Sequence, residues 1–335
     1  MRYRTAVIGA GRIADSHIRG IQAIPDFALV AIADVNEERA RELGQPDQLR
    51  CYTDYREMIR KEKPDAAIIA LPHYLHREAA IFCAEHGCHL MIEKPMAIGL
   101  NECDEIIDAV RRCGVKAMVG HTQHYMAANR AARELVRSGA LGTLVMINDT
   151  RHGNYFAADR PDWFFRKALA GGGRMMNLGS HSVDRIQWIT GRPICKVKAS
   201  LTFYGNRGDV EGSGLVYAEN ADGVPITISQ SGYIGAPRNE LELIFTGGMI
   251  RIEGGNKLSV SRGGNYEQAD IEAGESSFAR QYGDFLEMIR SGREPECSLD
   301  YARGVIAVVE SMYRSHECGR IIEVPQAGRI SGNAL

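Results

Sequence analysis

The sequence predicts a two-domain α/β protein. Residues 1–122 read as an N-terminal α/β domain on a doubly wound parallel sheet. Residues 123–335 read as an α+β domain on a large, mostly antiparallel open sheet. Three observations carry this. A chain of 335 residues suits two domains of about 100 to 200 residues each. Up to about residue 120, short continuous apolar runs alternate with helix-period segments, which is the rhythm of βαβ units. Beyond about residue 121 the helical spacers largely drop out and strand follows strand.

The first-half strands are Thr5 to Ile8, Leu29 to Ala33, Ala66 to Leu71, His89 to Ile92 and Lys116 to Val119, each continuous enough to be buried on both faces. Between them the periodicity predicts helices, each closed by a residue that cannot easily continue it. Ile13 to Ile24 stops at Pro25, Glu37 to Leu43 at Gly44 and Asp54 to Lys61 before Pro64; His76 to His86 stops at Gly87 and Asn101 to Cys113 at Gly114. The second half opens with a helix over Ala127 to Ser138. Strands are expected near Leu144 to Thr150, Lys196 to Tyr204, Leu215 to Ala218, Val224 to Ser231, Leu241 to Phe245 and Met249 to Ile252. Helices near Met175 to Thr190, Ser277 to Ser291 and Asp300 to Cys318 are expected to pack around that sheet.

Bulk chemistry narrows the function classes. Forty Lys plus Arg against 42 Asp plus Glu, scattered along the chain, give a formal charge of −2 and no concentrated basic surface, so nucleic acid is not an expected partner. The opening MRYRTAVIGAGRIADSHIRG has only a few consecutive apolar residues, short of a signal segment or of the ~20 a membrane span needs; no membrane association and a cytoplasmic location are expected. Eight cysteines without CxxC pairing read as reduced thiols, and no metal site is expected.

Gly9-Ala10-Gly11-Arg12-Ile13-Ala14 follows the first strand and opens the first helix, with Asp34 twenty residues beyond Ala14 at the end of the second strand. This is the Rossmann dinucleotide-binding pattern. Gly9 permits the tight turn, Gly11 admits a pyrophosphate to the helix N-terminus, and Ala14 allows close helix–sheet packing. Asp34 can accept from the adenosine ribose and repels a 2′-phosphate, so NAD is expected over NADP, although Arg12 and Arg39 lie near in sequence. Glu93-Lys94-Pro95 ends the fourth strand, where ligands of open parallel sheets lie; a cationic Lys94 there can stabilise an alkoxide. In the run from Gly171 to Asp184, Asn177, His181 and Asp184 fall at i, i+4 and i+7. That spacing predicts one helical face on which His181 serves as general base.

These signals, with Pro72 and His76 in Leu-Pro-His-Tyr-Leu-His and the ending Phe285 to Gly319 with Asp300, Tyr301, Ala302 and Ser315, resemble the Gfo/Idh/MocA oxidoreductase family over nearly the whole chain. The resemblance implies a Rossmann domain followed by an open-sheet domain through which members often oligomerise, here as a homo-oligomer, dimer or tetramer. It implies cofactor contacts at Gly9, Gly11, Arg12, Ile13, Ala14, Asp34, Leu71, Pro72, His76, Glu93 and Lys94. It implies substrate contacts at Lys94, Asn177, His181, His124, Trp163 and Arg166, with Lys94, His181 and Asn177 as the catalytic group. Asn177 stands where many members carry aspartate, and an amide can orient substrate but not transfer a proton. His73 stands where the family usually has asparagine and His124 where arginine is frequent.

The expected activity is hydride transfer between NAD(P) and a secondary alcohol or ketone of a sugar, sugar derivative or cyclic polyol: His181 takes the hydroxyl proton while Lys94 stabilises the oxygen charge. Two other readings stay open. One is a redox-neutral NAD-dependent enzyme of the glycosidase type on the same fold; the other is a non-catalytic nicotinamide-binding regulatory protein.

Overall fold

The computed structural model describes residues 2–271 and 274–325, and divides them into two compact units. The first comprises residues 2–125 and 274–299; the second comprises 126–271 and 300–325.

The first unit begins β1 (Tyr3–Ile8), α1 (Ala14–Gln22), β2 (Phe27–Ala33), α2 (Glu37–Gly44), β3 (Arg50–Tyr52) and α3 (Tyr55–Glu62). It continues with β4 (Ala66–Ile69), α4 (His76–Glu85), β5 (His89–Ile92), α5 (Leu100–Cys113) and β6 (Ala117–Val119). All neighbouring strands are parallel, in the order β3-β2-β1-β4-β5-β6. The connections run one way from β1 and the other way from β4, so the carboxyl ends of these two neighbours border the crevice where such sheets bind ligands. The edge strand β3 is not anticipated from sequence: three residues flanked by polar groups carry no period.

The second unit runs α6 (Ala127–Ser138), β7 (Leu144–His152), α7 (Lys167–Ala170), a π-turn (Met175–Gly179), α8 (Ser180–Thr190), β8 (Ile194–Thr202), β9 (Ser213–Asn220) and β10 (Pro225–Ser231). It then runs β11 (Arg238–Phe245), β12 (Gly248–Glu253), β13 (Lys257–Ser261) and β14 (Glu267–Gln268). The chain next returns to the first unit as α9 (Ser277–Ser291), and closes in the second with α10 (Leu299–Cys318) and β15 (Ile322–Glu323). The nine strands order β14-β13-β12-β11-β7-β10-β9-β8-β15, antiparallel except for the parallel pair β7 and β10. Along β7, Ile147, Asp149 and Arg151 are buried while Met146 is exposed and Asn148, Thr150 and His152 are half-buried, so one face of the sheet is covered and the other more open.

One expected placement is overturned. α9 does not pack on the second sheet; Tyr282, Phe285, Leu286 and Met288 join Val7, Ile18, Ile21 and Phe27 in the core of the first unit. The reason is the fit against α1, where a Cβ on Gly20 would stand 2.7 Å from the Tyr282 ring. Helical periodicity identifies an apolar face but not the surface it meets.

Candidate active site

In the first unit the glycine loop is fixed by the strand ends around it. Gly9 sits at φ +103°, donates its N–H to Ala33 O at 2.8 Å, and would place a Cβ 2.3 Å from Ala70 O. Only glycine satisfies both conditions. Gly11 differs: a Cβ there meets no protein atom within 4 Å, so the space its hydrogen leaves lies open at the start of α1. Arg12 and Ile13 are exposed at this turn, and buried Ala14 begins the helix. Asp34 Oδ2 accepts the Ala10 N–H at 2.6 Å and Oδ1 accepts that of Asn36 at 2.8 Å, so this carboxylate latches the loop.

Lys94 stands half-buried just past β5, with Leu71 and Pro72 half-buried past β4. Behind Lys94 lies a polar assembly that the sequence does not reveal. Glu93 Oε2 accepts the Lys94 N–H at 3.1 Å; Glu93 Oε1 lies 3.0 Å from His17 Nε2; His17 Nδ1 lies 2.8 Å from the Tyr282 hydroxyl. Burial works to raise the Glu93 pKa, but the His17 hydrogen bond and charge, with Lys94 and His76, carry it below the usual carboxylate value.

His76, expected among the cofactor contacts, is wholly buried, with its ring nitrogens 2.8 Å from Leu71 O and 2.9 Å from Pro95 O. The ring ties the end of β4 to the turn carrying Lys94 instead of offering a donor outward, and burial lowers its pKa. His124, expected to meet substrate, is also wholly buried, its Nδ1 3.1 Å from Cys297 Sγ. The short turn Thr122–Tyr125 folds it inward, because Val119 N–H pairs with Cys297 O beside it.

In the second unit the triple glycine answers to close neighbours. A Cβ on Gly172 would lie 1.9 Å from the Tyr313 hydroxyl oxygen, and one on Gly173 would lie 2.3 Å from Glu211 O. The Glu211 carboxylate accepts N–H groups from Gly173 at 2.9 and 3.0 Å and from Met175 at 2.7 Å, and the Tyr313 hydroxyl at 2.8 Å. It thus anchors the entry to the π-turn, a feature common at functional sites. Burial raises its pKa even against these bonds.

Asn177 lies buried within the π-turn, hydrogen-bonded with the Tyr155 hydroxyl, and His181 stands half-buried in the first turn of α8. Asn177 stands in the π-turn, and His181 and Asp184 lie one turn apart in α8. Asp184 is wholly buried and its Oδ1 accepts from the Tyr301 hydroxyl at 2.9 Å. Trp163 stacks on Phe164 at 3.7 Å, and Arg166 is exposed at the start of α7. A buried chain then runs from α8 into the sheet. Arg185 Nε donates to Asp149 Oδ2 at 3.0 Å, the Ser182 hydroxyl meets Asp149 Oδ1 at 2.5 Å, Gln230 Nε2 donates to Ser182 Oγ at 2.8 Å, and Arg174 Nε donates to Gln230 Oε1 at 3.1 Å.

Among the described residues no group of His, Cys, Asp or Glu could hold a metal ion, and no helix is long and apolar enough to cross a membrane. The model for the oxidoreductase family with an NAD-binding Rossmann fold, GFO_IDH_MocA, matches residues 3–121, and that for the GFO/IDH/MocA C-terminal domain matches residues 129–251. The chain is 24% identical over 308 residues to myo-inositol 2-dehydrogenase of Thermotoga maritima, covering 88% of this chain and 90% of that protein. It is 29% identical over 197 residues to D-glucoside 3-dehydrogenase of Escherichia coli, covering 58% of this chain and about half (55%) of that relative. Among solved structures, aldose-aldose oxidoreductase from Caulobacter crescentus complexed with glycerol superposes with a TM-score of 0.89 at 24% identity, over 97% of this chain and 100% of that one. GenD2 from gentamicin A biosynthesis in complex with NAD gives 0.85 at 26% identity, over 97% of each chain.

Proposed function

The chain belongs to the Gfo/Idh/MocA oxidoreductase family, and on that footing we propose that it moves a hydride between NAD and a secondary alcohol or ketone of a sugar, sugar derivative or cyclic polyol. The observation that carries this reading is the gathering of the Gly9 loop, Asp34 and Lys94 at the carboxyl ends of β1, β2 and β5, with open space at Gly11. Bound NAD supplies the hydride acceptor. The glycine loop and the N-terminus of α1 hold its pyrophosphate, and Asp34 keeps lone pairs for ribose hydroxyls beside those given to Ala10 and Asn36. The Asp34 charge disfavours NADP.

Lys94 hydrogen-bonds the reacting hydroxyl and stabilises its developing negative charge, held in place by Glu93, His17 and the His76 tie. His181 takes the hydroxyl proton, Asn177 orients the substrate, and Trp163 and Arg166 border it. The names of the relatives, an inositol dehydrogenase and a glucoside dehydrogenase, support a polyol hydroxyl as the reacting group. Exposed Met146, Leu215 and Tyr217 on the open side of the second sheet support a homo-oligomer joined there.

The test is turnover of inositols, aldoses, sugar acids and nucleotide sugars with NAD and NADP. Reduced nicotinamide should accumulate with at least one of them, faster with NAD. Substrate conversion without accumulation would instead favour the redox-neutral reading, and cofactor binding without any conversion the regulatory one.

A further inference from the structure

Arg174 carries a buried charge that no carboxylate meets among the described residues. It is 4% exposed, and its guanidinium donates to Gln230 Oε1 at 3.1 Å, Gly153 O at 3.2 Å and Arg151 O at 3.0 Å. All three acceptors are neutral, and no carboxylate pairs with Arg174 among the described residues. Burial lowers its pKa to about 10, with the like charge of Arg160 acting in the same direction, which leaves it cationic at neutral pH. Arg185 of the same unit makes the contrast, since its guanidinium is matched by Asp149. A buried cation lacking such a match is costly, and proteins retain that cost mostly where something binds.

The surroundings indicate what would offset it. The Tyr155 hydroxyl, within the field of Arg174, is hydrogen-bonded with Asn177, and the Arg160 guanidinium lies 4.4 Å from the Tyr155 ring centre. The acid nearby, Glu211 of the loop between β8 and β9, gives its oxygens to the N–H groups of Gly173 and Met175 and to Tyr313. Position 177, hydrogen-bonded with Tyr155, is a neutral amide. Among the described residues no carboxylate therefore supplies the negative charge that would balance Arg174.

We propose that the substrate brings it: the sugar or polyol taken by this enzyme bears an anionic group, a carboxylate or a phosphate, drawn to the Tyr155–Asn177 edge of the second unit by the charge of Arg174. This inference rests on the sugar or polyol oxidoreductase reading and names its substrate class. The attraction is electrostatic and acts through a poorly solvated interior, where charges are weakly screened.

The experiment is calorimetric binding of glucose, glucuronate and a hexose phosphate to the NAD-loaded protein, for wild type and Asn177→Asp, at low and raised salt. At least one anionic sugar should bind about tenfold more tightly than glucose, with the advantage largely kept in raised salt and lost in Asn177→Asp. The stronger of the two anions identifies carboxylate or phosphate as the recognised group. Equal binding of neutral and anionic sugars, no binding of either anion, or a preference that Asn177→Asp leaves intact would each overturn the inference. NAD reduction by sugars without regard to charge would overturn it while hydride transfer stands. An anionic preference in binding, with no NAD reduction by any sugar, would instead overturn the oxidoreductase reading.

Discussion

The two units hold their candidate residues by different means. In the first, strand ends set the positions: Gly9 pairs with Ala33, Asp34 latches Ala10, and Lys94 stands two residues past β5, with Glu93 and His17 behind it. In the second, side chains remote in sequence do it. Glu211 reaches the turn before Asn177 from 36 and 38 residues away, and Tyr313 reaches Met176 from 137 residues away. A site built on strand ends is set by topology, whereas a site built on a π-turn depends on its buried polar supports.

The largest effect is expected at Lys94. Lys94→Ala should lower kcat/KM by about 10²- to 10³-fold, the usual cost of deleting one electrostatic donor to a reacting oxygen. NAD affinity by fluorescence titration should hold, since the loop at Gly9 is untouched. If turnover survives, the first unit supplies only the cofactor and the chemistry belongs to the second.

The glycine loop gives the next contrast, within the first unit. Gly9→Ala forces a Cβ to 2.3 Å from Ala70 O at φ +103°, so a loss of about 2 to 4 kcal/mol in unfolding free energy is expected. Gly11→Ala meets no protein atom; its thermal midpoint should stay near wild type while NAD binding weakens by about tenfold or more. Equal stability losses in both variants would mean that the open space at Gly11 serves packing and not a ligand.

Two buried glutamates separate the units by the sign of their pH dependence. Glu93, held below the usual value of 4.5, stays ionised in the fold at pH values where the unfolded chain takes up a proton. Its contribution to stability is therefore full above about 4.5 and is lost as pH falls through the lowered folded value. Glu211, raised from 4.5 by burial, binds its proton more tightly in the fold; its contribution is full below about 4.5 and is lost as pH rises through the raised value. Thermal midpoints across pH should show Glu93→Gln flattening the acid limb and Glu211→Gln removing the opposite slope. Glu211→Gln should also cost about 1 to 3 kcal/mol, because an amide NH₂ would face the Gly173 N–H.

The smallest effect is expected at Arg166. It is exposed, so Arg166→Ala should change stability by no more than about 0.5 kcal/mol, with any functional loss confined to KM in steady-state assays.

The same division explains what was legible in the sequence. Strands buried on both faces are continuous apolar runs, and a strand, a glycine turn and a helix in succession fix where Gly9, Asp34 and Lys94 stand. The family resemblance likewise followed from contiguous motifs. His17 and Tyr282 escaped notice because their meeting depends on where α9 docks, and nothing in the α9 sequence names its partner. Glu211 sits in a loop with no motif around it. The inward turn of His124 depends on a short helical turn, which leaves no period in the sequence. Arg174 was in plain view beside the triple glycine, but only the burial of its guanidinium among neutral acceptors gives it meaning.

Oxidation of a sugar substrate deuterated at the reacting carbinol carbon tests hydride transfer most directly, with the label followed by mass spectrometry in cofactor and product. One deuterium should appear on the reduced nicotinamide for each ketone formed. Product that retains the deuterium, with no labelled reduced cofactor accumulating, would contradict net oxidation by this protein.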